Sequence, residues 1–247
     1  MKISIITLFP EVFTPILNSS ILKRAQKKGL VEFELINIRD FGEGKHKVVD
    51  DRPYGGGVGM VLRADILAKA LNSITKHDAA VQHYVILTSA SGKPYKQKMA
   101  QRLSRLDHLI VVCGHYEGVD QRFIDKYVNA EISIGDYVLT GGEIPAMVII
   151  DSITRLISGV LEKPEATENE SFSIFHHPSS TFQLLEYPQY TRPEEFEGEK
   201  VPGVLLSGNH GEIKKWKSQK SLEKTKKVRP DLLKNGVNLS HTRGGMN

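Results

Sequence analysis

The sequence predicts an α/β fold, a parallel sheet flanked by helices, followed by a small, mainly helical domain. Three observations carry this. Apolar, β-branched runs of strand length recur through residues 1–161, several of them apolar on both faces, as strands covered by helices on each side are. Segments of helical spacing stand between those runs. After Leu161 the periodicity breaks off, and the chain turns first Glu- and Pro-rich, then Lys-rich.

The elements follow in order. "KISIITLF" (Lys2–Phe9) reads as the first strand. Pro10–Lys28 is expected as one helix, with Pro10 near its start and Gly29 as its stop. "VEFELINI" (Val31–Ile38) is the second strand and Leu62–Ile74 the next helix. "HYVILTS" (His83–Ser89) and "HLIVVCG" (His108–Gly114) are strands separated by a helix over Tyr95–Arg105. Val119–Tyr127 has helical spacing, "AEISIGDYVL" (Ala130–Leu139) reads as the fifth strand, and Glu143–Ile157 as a well-buried helix. Residues 162–200 show no sustained period and read as a linker of flexible composition. From Gly203 on, Ile213, Trp216, Leu222 and Val228 recur at loosely helical spacing among lysines, so 201–247 is expected as a basic helical domain.

Composition narrows the function classes. At 247 residues, 40% hydrophobic and 25% charged, the chain is an ordinary globular one with enough length for a real core. Its apolar runs are strand-sized, too short to span a bilayer, and the N-terminus lacks the pattern of a signal peptide. Cys113 is the single cysteine, which suits a reducing cytoplasm, and within "LIVVCG" it reads as a buried small hydrophobe. The net charge of +4 is unevenly placed: Lys200–Asn247 holds 11 Lys/Arg against 3 Asp/Glu, the rest 22 against 26. A basic tail on a slightly acidic body fits either a polyanionic partner or a solvated helical surface. G-x-x-x-x-G-K-[ST], H-E-x-x-H and C-x-x-C are all absent, and "YGGGVGM" (Tyr54–Met60) does not match G-x-G-x-x-G. This argues against a nucleoside triphosphatase, a zinc enzyme and an ordinary dinucleotide fold.

The informative feature is a repeated layout. "LTSASG" follows the third strand, "CGHYEG" the fourth, and "IGDYVLTGG" the fifth. Ligands of open α/β sheets sit at the carboxyl ends of the strands. Glycines there let a ligand approach the backbone, so three such loops side by side offer N–H and C=O groups to a flat, polar molecule such as adenine. Tyr137, Val138 and Leu139 are candidate apolar walls. "DDRPYGGGVGM" (Asp50–Met60) suits a cover over a site as well as a plain surface loop. Arg155, four residues after Asp151, and Glu170, in an acidic stretch, carry no assignment by themselves.

Taken together, "TLFPEVF", "DDRPYGGGVGM", "GHYEGVDQR", "SIGDYVLTGGE", "RLISGVL" and "YPQYTRPEEFEGEKVPGVLLSGNHGEIKKW" resemble, in order and over nearly the whole chain, the bacterial tRNA (guanine-37-N1)-methyltransferases of the SPOUT class. The resemblance implies S-adenosylmethionine as cofactor, a deep trefoil knot in the C-terminal part of the α/β domain (residues 1–161), and a homodimer whose sites draw on both subunits. It implies transfer of methyl to N1 of guanine 37, beside the tRNA anticodon, helped by magnesium without a dedicated protein site. By motif, Gly114, Ile134, Gly135, Asp136, Tyr137, Val138 and Leu139 are expected at the cofactor, with Thr88, Ser89, Glu117, Gly141, Gly142 and Pro145 nearby. Arg155 takes the place of the catalytic arginine before "GVL". Glu170, in "ESF", stands where the family usually has the Asp of "DSF" and is the expected general base, while the adjacent Asn169 is no base. A SPOUT methyltransferase for another RNA site and a non-catalytic RNA-binding or ribosome-assembly factor are the alternatives.

Overall fold

The computed structural model describes residues 1–76, 82–163, 167, 170–177, 180–234 and 237–238. The chain divides into two compact units, Met1–Glu162 and Lys163–Asn247.

The first unit is built on five parallel strands, in the order β2-β1-β6-β5-β7. They are β1 (Lys2–Thr7), β2 (Glu32–Asn37), β5 (His83–Pro94), β6 (His108–Cys113) and β7 (Ala130–Ser133), while β3 (Asp50–Asp51) and β4 (Val61–Leu62) form a separate antiparallel pair. The helices are α1 (Thr14–Leu17), α2 (Ser20–Lys27), α3 (Ala64–Thr75), α4 (Gln97–Leu103), α5 (Gln121–Tyr127) and α6 (Glu143–Thr154). Side chains alternate across a strand, and here each face finds its own core. Ile3, Ile5, Ile86, Leu109 and Val111 pack with Leu22, Leu103, Ile149 and Ile153 of α2, α4 and α6. Ile6, Val85, Leu87, Ile110 and Val112 pack with Ile66, Leu67, Leu71 and Phe123 of α3 and α5. Apolar on both faces, the strands are thus covered on both faces. Phe123 is fully buried. Truncating it to alanine is expected to cost about 3–5 kcal/mol, read as a lower midpoint in urea unfolding.

Three expectations need correction. Pro10–Lys28 is not one helix but a 3-10 turn (Pro10–Val12), α1 and α2. Asn18 donates its side-chain amide to the Thr14 carbonyl at 2.9 Å, and the Ser19 hydroxyl donates to the Ile16 carbonyl at 2.8 Å. The Asn18 backbone amide still makes its helical bond to Thr14 at 3.2 Å, but extended Ser19 and Ser20, at φ +42°, turn the chain out of the helix and start α2 afresh. The fifth strand stops at Ser133 rather than Leu139. There the Ser133 hydroxyl donates to the Gly135 carbonyl at 2.9 Å and folds the chain out of the sheet. The third strand, in contrast, runs on to Pro94. Its pairing with β7 slips between Thr88 and Lys93, so Ile132 faces both and residues 89–92 loop out.

The second unit holds β8 (Ser173–His177) and β9 (Ser180–Leu184), which pair antiparallel with each other, and β12 (Val237–Asn238), which pairs antiparallel with β9. A short hairpin follows, β10 (Glu195–Phe196) with β11 (Glu199–Lys200). Then come α7 (Gly203–Leu206), α8 (His210–Val228) and α9 (Asp231–Lys234). Asn209 caps α8, accepting from the amides of Gly211 and Glu212. The buried Thr225 hydroxyl accepts from the Leu185 amide at 2.9 Å and so fixes α8 against the chain after β9.

Candidate active site

The sheet order makes β6, β5 and β7 neighbours at one edge. Their carboxyl ends therefore open side by side, and the loops beyond them enclose a cleft of about 460 Å³. That volume lies within the range of small-molecule sites.

The loops are sewn to one another by backbone. The Gly142 amide donates to the Gly114 carbonyl at 2.7 Å, and His115 bridges Gly141 in antiparallel fashion. The Tyr95 amide, beyond the end of β5, donates to the Ser133 carbonyl at 2.8 Å. Thr88, 3% exposed, aims its hydroxyl at the carbonyls of Gly142 (3.1 Å) and Val112 (3.3 Å). These contacts explain the glycines. A Cβ on Gly142 would collide with the Thr88 hydroxyl and come within 2.6 Å of the Gly114 nitrogen. One on Gly114 would stand 2.9 Å from the Thr88 carbonyl oxygen, and one on Gly141 would strike the Glu143 carboxylate.

Beneath this floor lies a buried polar pair. Glu143 opens α6 and is 7% exposed, and its Oε1 accepts from the Thr7 hydroxyl at 2.8 Å. Its Oε2 stands 4.0 Å from His115 Nδ1, whose ring packs between Phe9 (5.2 Å) and Tyr116 (4.6 Å). The Cys113 thiol is pushed well up, first by burial and then by the Glu143 carboxylate, so it stays an un-ionised core group.

Of the residues singled out in the sequence, Thr88, Ser89, Gly114, Glu117, Ile134, Gly135, Tyr137, Val138, Leu139, Gly141, Gly142 and Pro145 line the cleft. Asp136 does not; it is an exposed residue of the loop. Tyr137 and Val138 are 55% and 86% exposed, so the apolar wall lies open on its outer side. Arg155 does not line the cleft either. It caps the far end of α6, the helix whose first turn forms the cleft floor. Twelve residues of rise put it about 18 Å along the axis from Glu143. Glu170 belongs to the second unit and is half-buried there, and Asn169 lies outside the described residues. His115, Tyr116, Ser91 and Glu131 also line the cleft. The first two stand inside the "GHYEG" motif, where the repeated loop layout was a usable signal. Glu131 is a single acid in an apolar strand, which carries none. Among the described residues, no three His, Cys, Asp or Glu side chains gather as a metal-ligand set, and no helix is long and apolar enough to cross a membrane.

Comparison with known proteins agrees over nearly the whole chain. The family model described as tRNA (Guanine-1)-methyltransferase TrmD matches residues 1–235. A tRNA (guanine-N(1)-)-methyltransferase of Moorella thermoacetica is 52% identical over 240 residues, 97% of this chain and 92% of the relative. Those of Dictyoglomus turgidum (52% over 233 residues; 94% and 90%) and Caldicellulosiruptor saccharolyticus (54% over 240; 97% and 93%) are similar to it in the same way. A family match across the sheet, the glycine loops and most of the second unit leaves one conclusion: the chain belongs to the tRNA (guanine-1)-methyltransferase TrmD family.

Proposed function

We propose that this chain transfers a methyl group from S-adenosylmethionine to N1 of guanine 37, next to the anticodon of tRNA. The observation that carries the reading is the cleft: three glycine-bearing loops at neighbouring strand ends, in a chain of this family. The cofactor, when bound, supplies an electrophilic methyl group. The cleft suits its adenosyl part in size, and Gly114, Gly141 and Gly142 let the loops that form its floor close on one another where no Cβ fits. Ile134, Gly135, Tyr137, Val138 and Leu139 supply the wall, and Asp136 is assigned to the outer rim of the same loop.

Guanine N1 carries a proton at neutral pH and is a poor nucleophile. In this reading Glu170 accepts that proton and Arg155 stabilises the negative charge that develops towards O6. The N1 edge is the pairing edge, so the base must be unstacked and presented singly. Arg155 lies far along α6 from the cleft of its own chain. This supports a homodimer in which the arginine of one subunit serves the cleft of the other. The slipped β5–β7 pairing and the sewn loops support a trefoil knot at the same place, an exception to the rule that chains do not thread loops. A cytoplasmic location and a rate helped by magnesium belong to the same reading, and omission of magnesium from the assay tests the second.

Residues 1–161 are then the knotted catalytic domain, 162–200 the connection and 201–247 the basic tRNA-holding part. Lys224, Lys226 and Lys227 lie exposed near the end of α8. Replacing all three with Gln should weaken tRNA binding and flatten its log–log salt dependence by about 0.9 per lost phosphate contact. Cofactor affinity should stay put; an unchanged salt slope would remove α8 from the interface. The decisive assay is transfer of labelled methyl from S-adenosylmethionine to an unmodified tRNA transcript with guanine at positions 36 and 37. Label in N1-methylguanine at 37 supports the reading, and tRNA binding without transfer refutes it.

A further inference from the structure

The cleft accounts for the loops after β5, β6 and β7, but not for the hairpin tip Arg52–Met60. The tip is rooted at the site. β3 and β4 pair at its base, the Glu117 amide donates to the Met60 carbonyl at 3.0 Å, and the Leu62 amide donates to the Gly118 carbonyl at 2.9 Å. Glu117 and Gly118 are themselves cleft residues. Gly59, at φ +85°, lies so close to the Glu117 carboxylate that a Cβ there would collide with it. Beyond this anchor the tip projects. Gly55 and Gly56 have positive φ and nothing within 4 Å of a Cβ position. Tyr54 is 97% exposed and Val58 85%.

A single exposed apolar side chain needs no explanation. Here the placement does. Tyr54 sits next to the lip of a cleft, on a glycine-rich tip that contributes no packing of its own. The hairpin's root is also tied to the start of α5, where the Asp120 amide donates to the Leu62 carbonyl at 3.0 Å, two residues before Arg122. Arg122 is near the start of α5, its side chain 76% exposed. It grips Asp120 with Nε and Nη2, which leaves the Nη1 donors outside the pair. An exposed aromatic ring and a guanidinium with open donors, both rooted at one cleft lip, are what an unpaired nucleotide uses, the base stacking and the phosphate accepting hydrogen bonds.

We propose that Tyr54 is the stacking platform for the unpaired nucleotide that flanks the base presented to the cleft, with Arg122 as donor to its phosphate. The inference rests on the reading of the cleft as a site for RNA methylation. Tyr54 touches the substrate outside the reacting atoms and is a positioning residue for it.

The test uses the full chain and an RNA hairpin whose loop carries 2-aminopurine beside guanine. Binding is followed by anisotropy and stacking by quenching of the 2-aminopurine. Wild type should quench the probe. Tyr54→Ala should lose the quench and bind about 5- to 150-fold more weakly, the range for one base–aromatic stack. Tyr54→Trp should keep both, and all three proteins should bind S-adenosylmethionine alike. Arg122→Gln should weaken binding by a few-fold, with a shallower salt dependence. Tyr54→Ala with wild-type affinity and quench overturns the inference, as does equal loss in Tyr54→Trp. Tyr54-dependent quenching in a protein that methylates no tRNA leaves the platform standing and sinks the proposed activity. Methylation with unchanged tRNA kcat/KM in Tyr54→Ala does the reverse.

Discussion

Alanine in place of Arg155 or of Glu170 is expected to lower methyl transfer by about 10²–10⁴-fold while the affinity for S-adenosylmethionine stays within a few-fold of wild type. The split follows from the assigned roles. In the proposed roles both groups act on the base, one on its proton and one on its developing charge. Neither has a part in the glycine cleft, and Arg155 stands at the opposite end of α6 from it. Single-turnover transfer and calorimetric cofactor binding on the same preparations separate the two quantities. Equal loss of both would end the assignment. A mixture of two variants tests the proposed dimer and which subunit supplies the arginine. One subunit carries Arg155→Ala and the other a blocked cleft, Gly142→Val. Each variant alone should be inactive. If Arg155 acts across the dimer, the mixture regains activity, because the intact cleft meets the intact arginine. If it acts within its own chain, the mixture stays dead.

Gly142→Ala should cost cofactor affinity about 5- to 150-fold, corresponding to about 1–3 kcal/mol of overpacking. The added methyl has nowhere to go. It meets the buried Thr88 hydroxyl and lies 2.6 Å from the Gly114 nitrogen and 2.9 Å from Cys113 Cα, two of the three being backbone. The 2.7 Å Gly142–Gly114 hydrogen bond must lengthen to admit it, which pries apart the loops after β6 and β7. Gly55→Ala is the control. Nothing stands within 4 Å of its Cβ, so only its φ of +86° resists. It should cost about 1–2 kcal/mol of stability and leave cofactor affinity unchanged. Calorimetry with a urea melt on each variant reads both numbers. Wild-type cofactor affinity in Gly142→Ala would show that the sewn floor is not the binding surface.

Much of the first unit was legible because burial on two faces leaves a plain mark. Runs such as "IIT", "VIL" and "LIVVC" are apolar without alternation, and they became central parallel strands. Two of the three errors of length fall where polar side chains bond the nearby backbone. Asn18 and Ser19 stand where a helix ends, and Ser133 where a strand ends, with hydrogen bonds spanning two to four residues. Such bonds are local, yet the same residue types occur inside helices and strands without making them, so apolar spacing alone overran both ends. Residues 162–200 show why a weak period misleads: the five-residue strands β8 and β9 stand there, too short to register one.

The sequence by itself determined the five strands of the parallel sheet, the positions of the glycine-bearing loops and the family, because these rest on residue types and their order along the chain. Only the tertiary structure decided that β6, β5 and β7 are neighbours, and therefore that their loops enclose one cleft. It alone brought Thr7 to Glu143 across 136 positions. It alone set Arg155 a full helix length from the cleft. Those are facts of long-range packing. The strand order answers to how two apolar faces are covered at once, and a buried carboxylate answers to whichever hydroxyl the fold brings within reach.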